Sequence, residues 1–315
     1  MITPEQAVDA INERFGRHEG SRALHAKGVV LKGTFTATPA AARLTRAGHM
    51  QGEPVPATVR VSNGSGDPNE PDYAPDVRGM ATKFYLPDGS RTDISGQTAT
   101  RFPTLSVDTF IEMVQANAAD ASRLWKLPLF LIRHPKIAVG LPAGAAALKA
   151  PASYATLRYH ALHAFKWVDA DGGERFVRYT WEPEAGVQTL SGGEAKAKGR
   201  DYLREEILAR LGREPARFTL RVTIAGDGDD PDDPTVQWPD SRETVAVGTL
   251  EITEPDTERE KGDDVLVFDP TRVVDGIELT NDPILRFRSP AYSASIEHRS
   301  GVERPADLSD VSGPK

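Results

Sequence analysis

PATVRVSNGSGDPNEPDYAPDVRGMATKFYL, residues 56–86, decides how this chain is read. In its first part, PATVRVS (56–62), Ala57, Val59 and Val61 alternate with Thr58, Arg60 and Ser62. Alternation with period two predicts a strand that buries one face and leaves Arg60 and Ser62 together on the other. GMATKFYL (79–86) reads as a second strand. The stretch between them is dense in Gly, Pro, Asn and Asp, which predicts a loop. It is long for a compact domain, and loops of that length commonly serve function.

Outward from this pair, further strands are expected over 28–38, 173–184, 216–225 and 243–253. Thr3, Pro4 and Glu5 form a helix start, with a cap, a proline at the first helical position and an acidic first turn. That helix is expected to end near Gly16 or Gly20. Ser106 is expected to cap a helix over 107–126, and another is expected over 197–214. Six or more strands, several of them alternating, predict an α+β fold: an antiparallel sheet or closed β-barrel with helices packed outside. No internal repeat is visible. One domain over 1–302 is expected, followed by a frayed tail at 303–315.

Composition narrows the function. The 315 residues carry a formal net charge of −8, which argues against nucleic acid as a partner. There is no cysteine, which excludes disulfides, thiol catalysis, Cys-ligated iron–sulfur clusters, thiolate-held haem and a c-type haem linkage. The first residues show neither a basic nor an apolar leader region, so a cytoplasmic protein is expected. The most apolar stretch, 127–151, is interrupted by Arg133, His134, Pro135 and Lys136 and is too broken to span a bilayer. It is expected to form short core-packed helices, with a lipid- or membrane-touching surface as the alternative. Nucleotide-binding glycine motifs and H-E-x-x-H are absent. The run DGDDPDD (227–233) lacks the spacing of a calcium loop and reads as a solvated acidic turn.

Several separated segments, in order, then bear on one another. They are RALHAKG (22–28), VRVS (59–62), DVRGMATKFY (76–85), TDISGQTATRF (92–102) and FDPTRVVDGIELTNDPILRFRSPAY (268–292). Taken singly, His25 reads as a structural histidine and Arg288 with Tyr292 as a surface helical pair. Taken together and in this order, the segments resemble the haem catalase superfamily over about residues 18–302, and its small catalase-related peroxidase branch in particular.

The resemblance implies a catalase-type β-barrel with non-covalently bound haem b. It makes Tyr292 the iron ligand. Arg288, one helical turn earlier on the same face, favours the phenolate. His25 becomes the acid–base residue on the distal side, steadied by Ser62. Arg22, Arg60 and Arg299 match residues that pair with haem propionates. Leu24 and Phe102 are expected to wall the pocket, with Phe110 as a further candidate. The implied activity is reduction of organic hydroperoxides and hydrogen peroxide through a ferryl intermediate, with a small reductant restoring the resting state.

Three departures from the family shape the expectation. Gln97 stands where catalases carry a distal asparagine, so weak or no catalase activity is expected. The chain ends about 23 residues after Tyr292, so NADPH binding is not expected. Thr180 replaces a histidine on a middle strand, which bears on how Arg288 is held. A homo-oligomer, taken as a dimer, is expected. Alternative readings are an allene oxide synthase-like isomerase of fatty-acid hydroperoxides, a non-catalytic haem-binding protein, and a β-barrel binding module sharing only the fold.

Overall fold

The computed structural model describes residues 2–118, 120–258 and 266–300, without the side chains of 140–143 and 298–300. Its strands are β1 (Gly28–Ala37), β2 (Val55–Asn63), β3 (Arg78–Tyr85), β4 (Arg91–Gln97) and β5 (Tyr159–His160). They continue with β6 (Phe165–Val168), β7 (Glu174–Pro183), β8 (Ala216–Ile224), β9 (Thr244–Pro255) and β10 (Ile277–Leu279). The helices are α1 (Pro4–Phe15), α2 (Pro39–Leu44), α3 (Val107–Ala116) and α4 (Arg123–Arg133). After them come α5 (Pro135–Gly144), α6 (Gly192–Lys198), α7 (Tyr202–Leu211) and α8 (Pro283–Ser300).

Every strand pairing is antiparallel. Following the ladders from β1 through β2, β3, β4, β5, β7, β8 and β9 returns to β1, so eight strands close a barrel; β6 and β10 extend it beside β7. Closure leaves no free edge on the barrel proper. The interior is filled as the alternation demands. Val59 and Val61 point inward with Phe35, Phe84 and Trp181, all essentially inaccessible. Phe35 packs edge-on against Phe84 and Trp181 at 5.2 and 6.1 Å between ring centres. Each such side chain contributes roughly 1.5–3 kcal/mol by leaving water.

Two expected helices are divided. The 107–126 helix stops at Ala116 and a new one starts at Arg123. Asp120 caps the intervening turn by accepting the Ser122 N–H at 2.8 Å. The 197–214 helix is interrupted at Gly199, whose φ of +105° suits glycine, so α6 ends there and α7 begins at Tyr202. The 127–151 segment does form short helices, but they are not core-packed throughout. Phe130 is buried, whereas Ile132 and Val139 are largely exposed. Among the described residues no helix is long and apolar enough to cross a membrane.

Two buried polar clusters fix the parts that shape the site. Lys83 on β3 faces Asp93 on β4, with Nζ 2.7 and 2.9 Å from the two carboxylate oxygens. Arg272 and the Asp269 N–H also donate to Asp93, at 2.6 and 2.8 Å, which pins the 266–272 segment to the barrel wall. Asp72, fully buried in the long β2–β3 loop, accepts from Asn63 at 2.8 Å, Lys27 at 2.7 Å and the Leu203 N–H at 2.8 Å. These contacts tie that loop to Lys27, β2 and α7.

Candidate active site

A cavity of about 490 Å³ lies between the outer wall of the barrel and helices α1, α3 and α8. Its floor comes from residues that the strand period turns outward. Arg60 and Ser62 alternate with the inward valines of β2. Ser62 pairs across the ladder with Gly79 of β3, and Gly79 with Gln97 of β4, so one rung places all three in the cavity wall.

His25 enters from the segment before β1. Its backbone is clamped by the β2–β3 loop: the His25 N–H donates to the Gly64 carbonyl at 3.1 Å and the Ala26 N–H to the Ser65 carbonyl at 3.0 Å. Among the described residues it is the one non-glycine with positive φ, at +57°. A residue held in the left-handed region costs free energy, which the surrounding contacts must supply. Its Nδ1 is 3.0 Å from Ser62 Oγ. Gly79 makes room for this pair, since a Cβ there would lie 2.8 Å from Nδ1 and Cε1 of His25. Burial pushes the His25 pKa down to about 3, assisted by the positive charges of Arg60, Arg288 and Arg22. The imidazole is therefore neutral at physiological pH and able to accept a proton.

Tyr292 and Arg288 come from α8, where Arg288 Nη1 donates to the Tyr292 hydroxyl oxygen at 3.1 Å. Asp282 fixes the start of this helix by accepting the N–H groups of Ile284 and Leu285 at 2.8 and 3.1 Å. The other oxygen of Asp282 lies 2.6 Å from Nδ1 of His163. Burial and the charge of Arg288 push His163 down to about 4, while Asp282 pulls upward. Thr180, the replacement on β7, bonds His160 at 3.2 Å. The buried Asp282–His163 pair at the base of α8 was not read from the sequence. The only cue was a pair of histidines in YHALHAF (159–165) without a motif.

Arg22, Leu24, His25, Arg60, Ser62, Gln97, Phe102, Arg288 and Tyr292 all line this one cavity. Phe110 does too, its ring 5.1 Å from that of Phe102. Arg299 lies outside the residues whose side chains are described. Arg101 lines the cavity as well and was missed, since an isolated arginine after a polar turn carries no signal. Arg22 donates to the Leu266 carbonyl at 2.6 Å and Arg60 to the Ala26 carbonyl at 3.1 Å. Thus four arginines enter a mostly apolar cavity, and no Asp or Glu is found among its described lining residues. Such a donor set suits a large apolar ligand that carries negative charge.

Comparison with known proteins agrees with this architecture. The catalase family model matches residues 7–306, and the chain belongs to the catalase family. It is similar to a catalase-related peroxidase of Mycolicibacterium paratuberculosis, 50% identical over 310 residues that cover 98% of this chain and 99% of that protein. It is also similar to a catalase-related peroxidase of Synechococcus elongatus, 32% identical over 303 residues covering 95% of this chain and 89% of the other. These similarities place it in the small catalase-related branch. Against catalase-2 of Bacillus subtilis it is 29% identical over 297 residues, 86% of this chain but 43% of that enzyme. Family membership implies a haem cofactor. The cavity fits one: apolar walls suit the macrocycle, the arginines suit its two carboxylates, and the tyrosine oxygen beside Arg288 suits ferric iron.

Proposed function

We propose that this protein uses haem b to reduce organic hydroperoxides as well as hydrogen peroxide, with weak or no dismutation of hydrogen peroxide. As a catalase-family member related to named peroxidases, it is a peroxide-acting oxidoreductase. The finer reading is carried by one observation: a neutral, Ser62-bonded imidazole shares with an arginine-bonded tyrosine a cavity whose described lining residues include no Asp or Glu.

In this reading Tyr292 would hold the iron, Arg288 would orient its oxygen by the hydrogen bond it donates, and Arg22, Arg60 and Arg299 would hold the propionates. When bound, the haem would supply the electron-transfer chemistry. The work of the chain is to move one proton. The net reaction is ROOH + 2e⁻ + 2H⁺ → ROH + H₂O, where the O–O bond breaks and a small donor is oxidised. His25 Nε2 would take the proton from the terminal peroxide oxygen and deliver it to the other as the O–O bond breaks, so that the leaving group departs as ROH and not as a costly alkoxide. Ser62 on Nδ1 fixes the ring orientation that this transfer needs. Gln97 is one methylene longer than the asparagine of catalases and would hold a second hydrogen peroxide less well, which supports weak dismutation. The same reading takes residues 1–302 as one haem-binding domain in the cytoplasm; the tail at 303–315 lies outside the described residues.

His25→Ala tests it. Haem content should persist while the rate of hydroperoxide reduction falls about 10²- to 10⁴-fold, the usual worth of a positioned acid–base group. An unchanged rate at full haem loading would refute the acid–base role and favour a non-catalytic haem protein. Recovery of a rearranged hydroperoxide, instead of an alcohol with oxidised donor, would establish the isomerase alternative.

A further inference from the structure

α4 carries apolar side chains on its outward face as well as on the face that buries Phe130. Leu124, Pro128 and Ile132 are spaced by four and lie on one exposed face, with Trp125 and Leu129 beside them. Leu124 is 81%, Trp125 59% and Ile132 76% exposed, and Val139 of α5 is 82% exposed. A helix that only closed a core would turn these inward.

Charge separates this segment from the rest of the chain, with Glu112 and Asp120 lining the hollow that it shares through Trp125, Lys126 and Leu129. Residues 121–150 contain Arg123, Lys126, Arg133, Lys136 and Lys149 and no Asp or Glu, within a chain of net charge −8. Lys126 lies over the Trp125 ring at 5.7 Å, and Arg133 reaches Glu112 of α3 at 3.6 Å while remaining 60% exposed. Apolar residues with tryptophan, set among basic side chains on a short helix, are the features of an element that lies in a lipid interface. A second copy of this chain would fit less well, because a symmetric contact would bring basic segment against basic segment.

We propose that α4 and the beginning of α5 dock the protein onto anionic phospholipid surfaces. α4 rests on α3, and α3 supplies Val107, Phe110, Ile111 and Met113 to the haem-type cavity. Docking therefore brings the cavity alongside the source of apolar hydroperoxides. That use rests on the function proposed above, whereas the docking does not.

The test separates them by measuring binding without turnover. Full-length haem-loaded protein is centrifuged with phosphatidylcholine vesicles and with vesicles of equal phosphatidylcholine and phosphatidylglycerol. Pelleting is expected only with the second, and should be reversed by about 0.5 M salt, which screens surface charge within a few ångströms. Replacing Arg133 and Lys136 by Gln should weaken partitioning about fivefold for each charge removed. The exposed-site variant Leu124→Glu/Ile132→Glu should retain its melting temperature and peroxide rate but lose pelleting. Trp167, Trp181 and Trp238 are buried, so emission open to acrylamide belongs to Trp125 and should become protected on the anionic vesicles. Failure of the wild-type protein to pellet with anionic vesicles at low salt overturns the proposal. So does an ultracentrifuge result in which Leu124→Glu splits a dimer that ignores both vesicles, which would make the patch a subunit interface.

Discussion

Replacing Gly79 by Ala probes the proposed site with one methyl group. The new Cβ would stand 2.8 Å from Cε1 and Nδ1 of His25 and 3.0 Å from Ser62 Oγ. Comfortable contact needs about 3.5–4.0 Å, so the ring must retreat by roughly 0.7–1.2 Å. The backbone cannot follow, because the hydrogen bonds of His25 and Ala26 to Gly64 and Ser65 hold it. The movement falls on the side-chain torsions and breaks the 3.0 Å bond to Ser62. Overpacking of this kind costs about 1–3 kcal/mol of stability. A displacement near 1 Å of a reacting group costs up to about 10²-fold in rate. The expected outcome is a 10- to 100-fold fall in kcat/KM for hydroperoxide reduction, with haem per chain unchanged by absorbance and a lowered melting temperature. Gly192→Ala, where a Cβ meets nothing within 4 Å, is the neutral control. A fully haem-loaded Gly79→Ala enzyme within twofold of wild type would show that the position of the His25 ring does not limit the reaction.

Other expectations follow from the same structure. Asp93→Ala removes the shared partner of buried Lys83 and Arg272 and should cost about 3–5 kcal/mol in denaturant unfolding; adding Lys83→Met should recover part of that, and a loss below 1 kcal/mol would contradict the ion cluster. Burial pushes His25 and His49 down to about 3 and His160 and His163 to about 4. These groups are neutral when folded but protonate near 6.5 when unfolded, so their stabilisation is complete above pH 6.5 and is lost as pH falls through 6.5 towards 4 and 3, by up to about 1.4 kcal/mol per pH unit for each group. Burial raises Asp76 and Asp93, which act in the opposite sense at lower pH. Urea midpoints that stay flat between pH 7.5 and 5 would contradict this account.

The barrel strands were legible because their residues announce them locally. Alternation placed β2 at 56–62 against an observed Val55–Asn63, and β8 at 216–225 against Ala216–Ile224. Cap chemistry did the same for α1, where Thr3 and Gln6 form the reciprocal cap. Short β5 and β10 passed unread because two or three residues carry no period. The break after Ala116 escaped notice because its cap, Asp120, sits inside a run of helix-compatible residues. For the site, family resemblance named the residues, but their assembly depends on contacts between distant segments. Nothing in FDPTRVV says that Arg272 will meet Asp93, 179 positions away. Nor does the spacing of NGSG say that the Gly64 carbonyl will hold the His25 backbone. For α4 the sequence left two orientations open, core-packed or lipid-touching, and favoured the first. Periodicity shows that a helix has an apolar face, but not which way the fold turns it.

Charge distribution links the cavity with the surface patch. A chain with eight excess negative charges could have scattered them evenly, yet the described cavity lining and residues 121–150 both lack Asp and Glu. In the cavity, a carboxylate would compete for the arginines with an anionic ligand and would raise the pKa of His25. The imidazole would then drift towards protonation, and a protonated imidazole cannot take the proton of a peroxide. On α4, a carboxylate would oppose approach to an anionic surface. The acidic residues are instead gathered elsewhere, as in the 227–240 loop, where Asp229 pairs with Arg242 at 2.7 Å. An acidic residue introduced on α4, as at Leu124, should therefore impair docking and leave chemistry intact. One introduced beside His25, as in Ser62→Asp, should do the reverse by lifting the pKa of the imidazole.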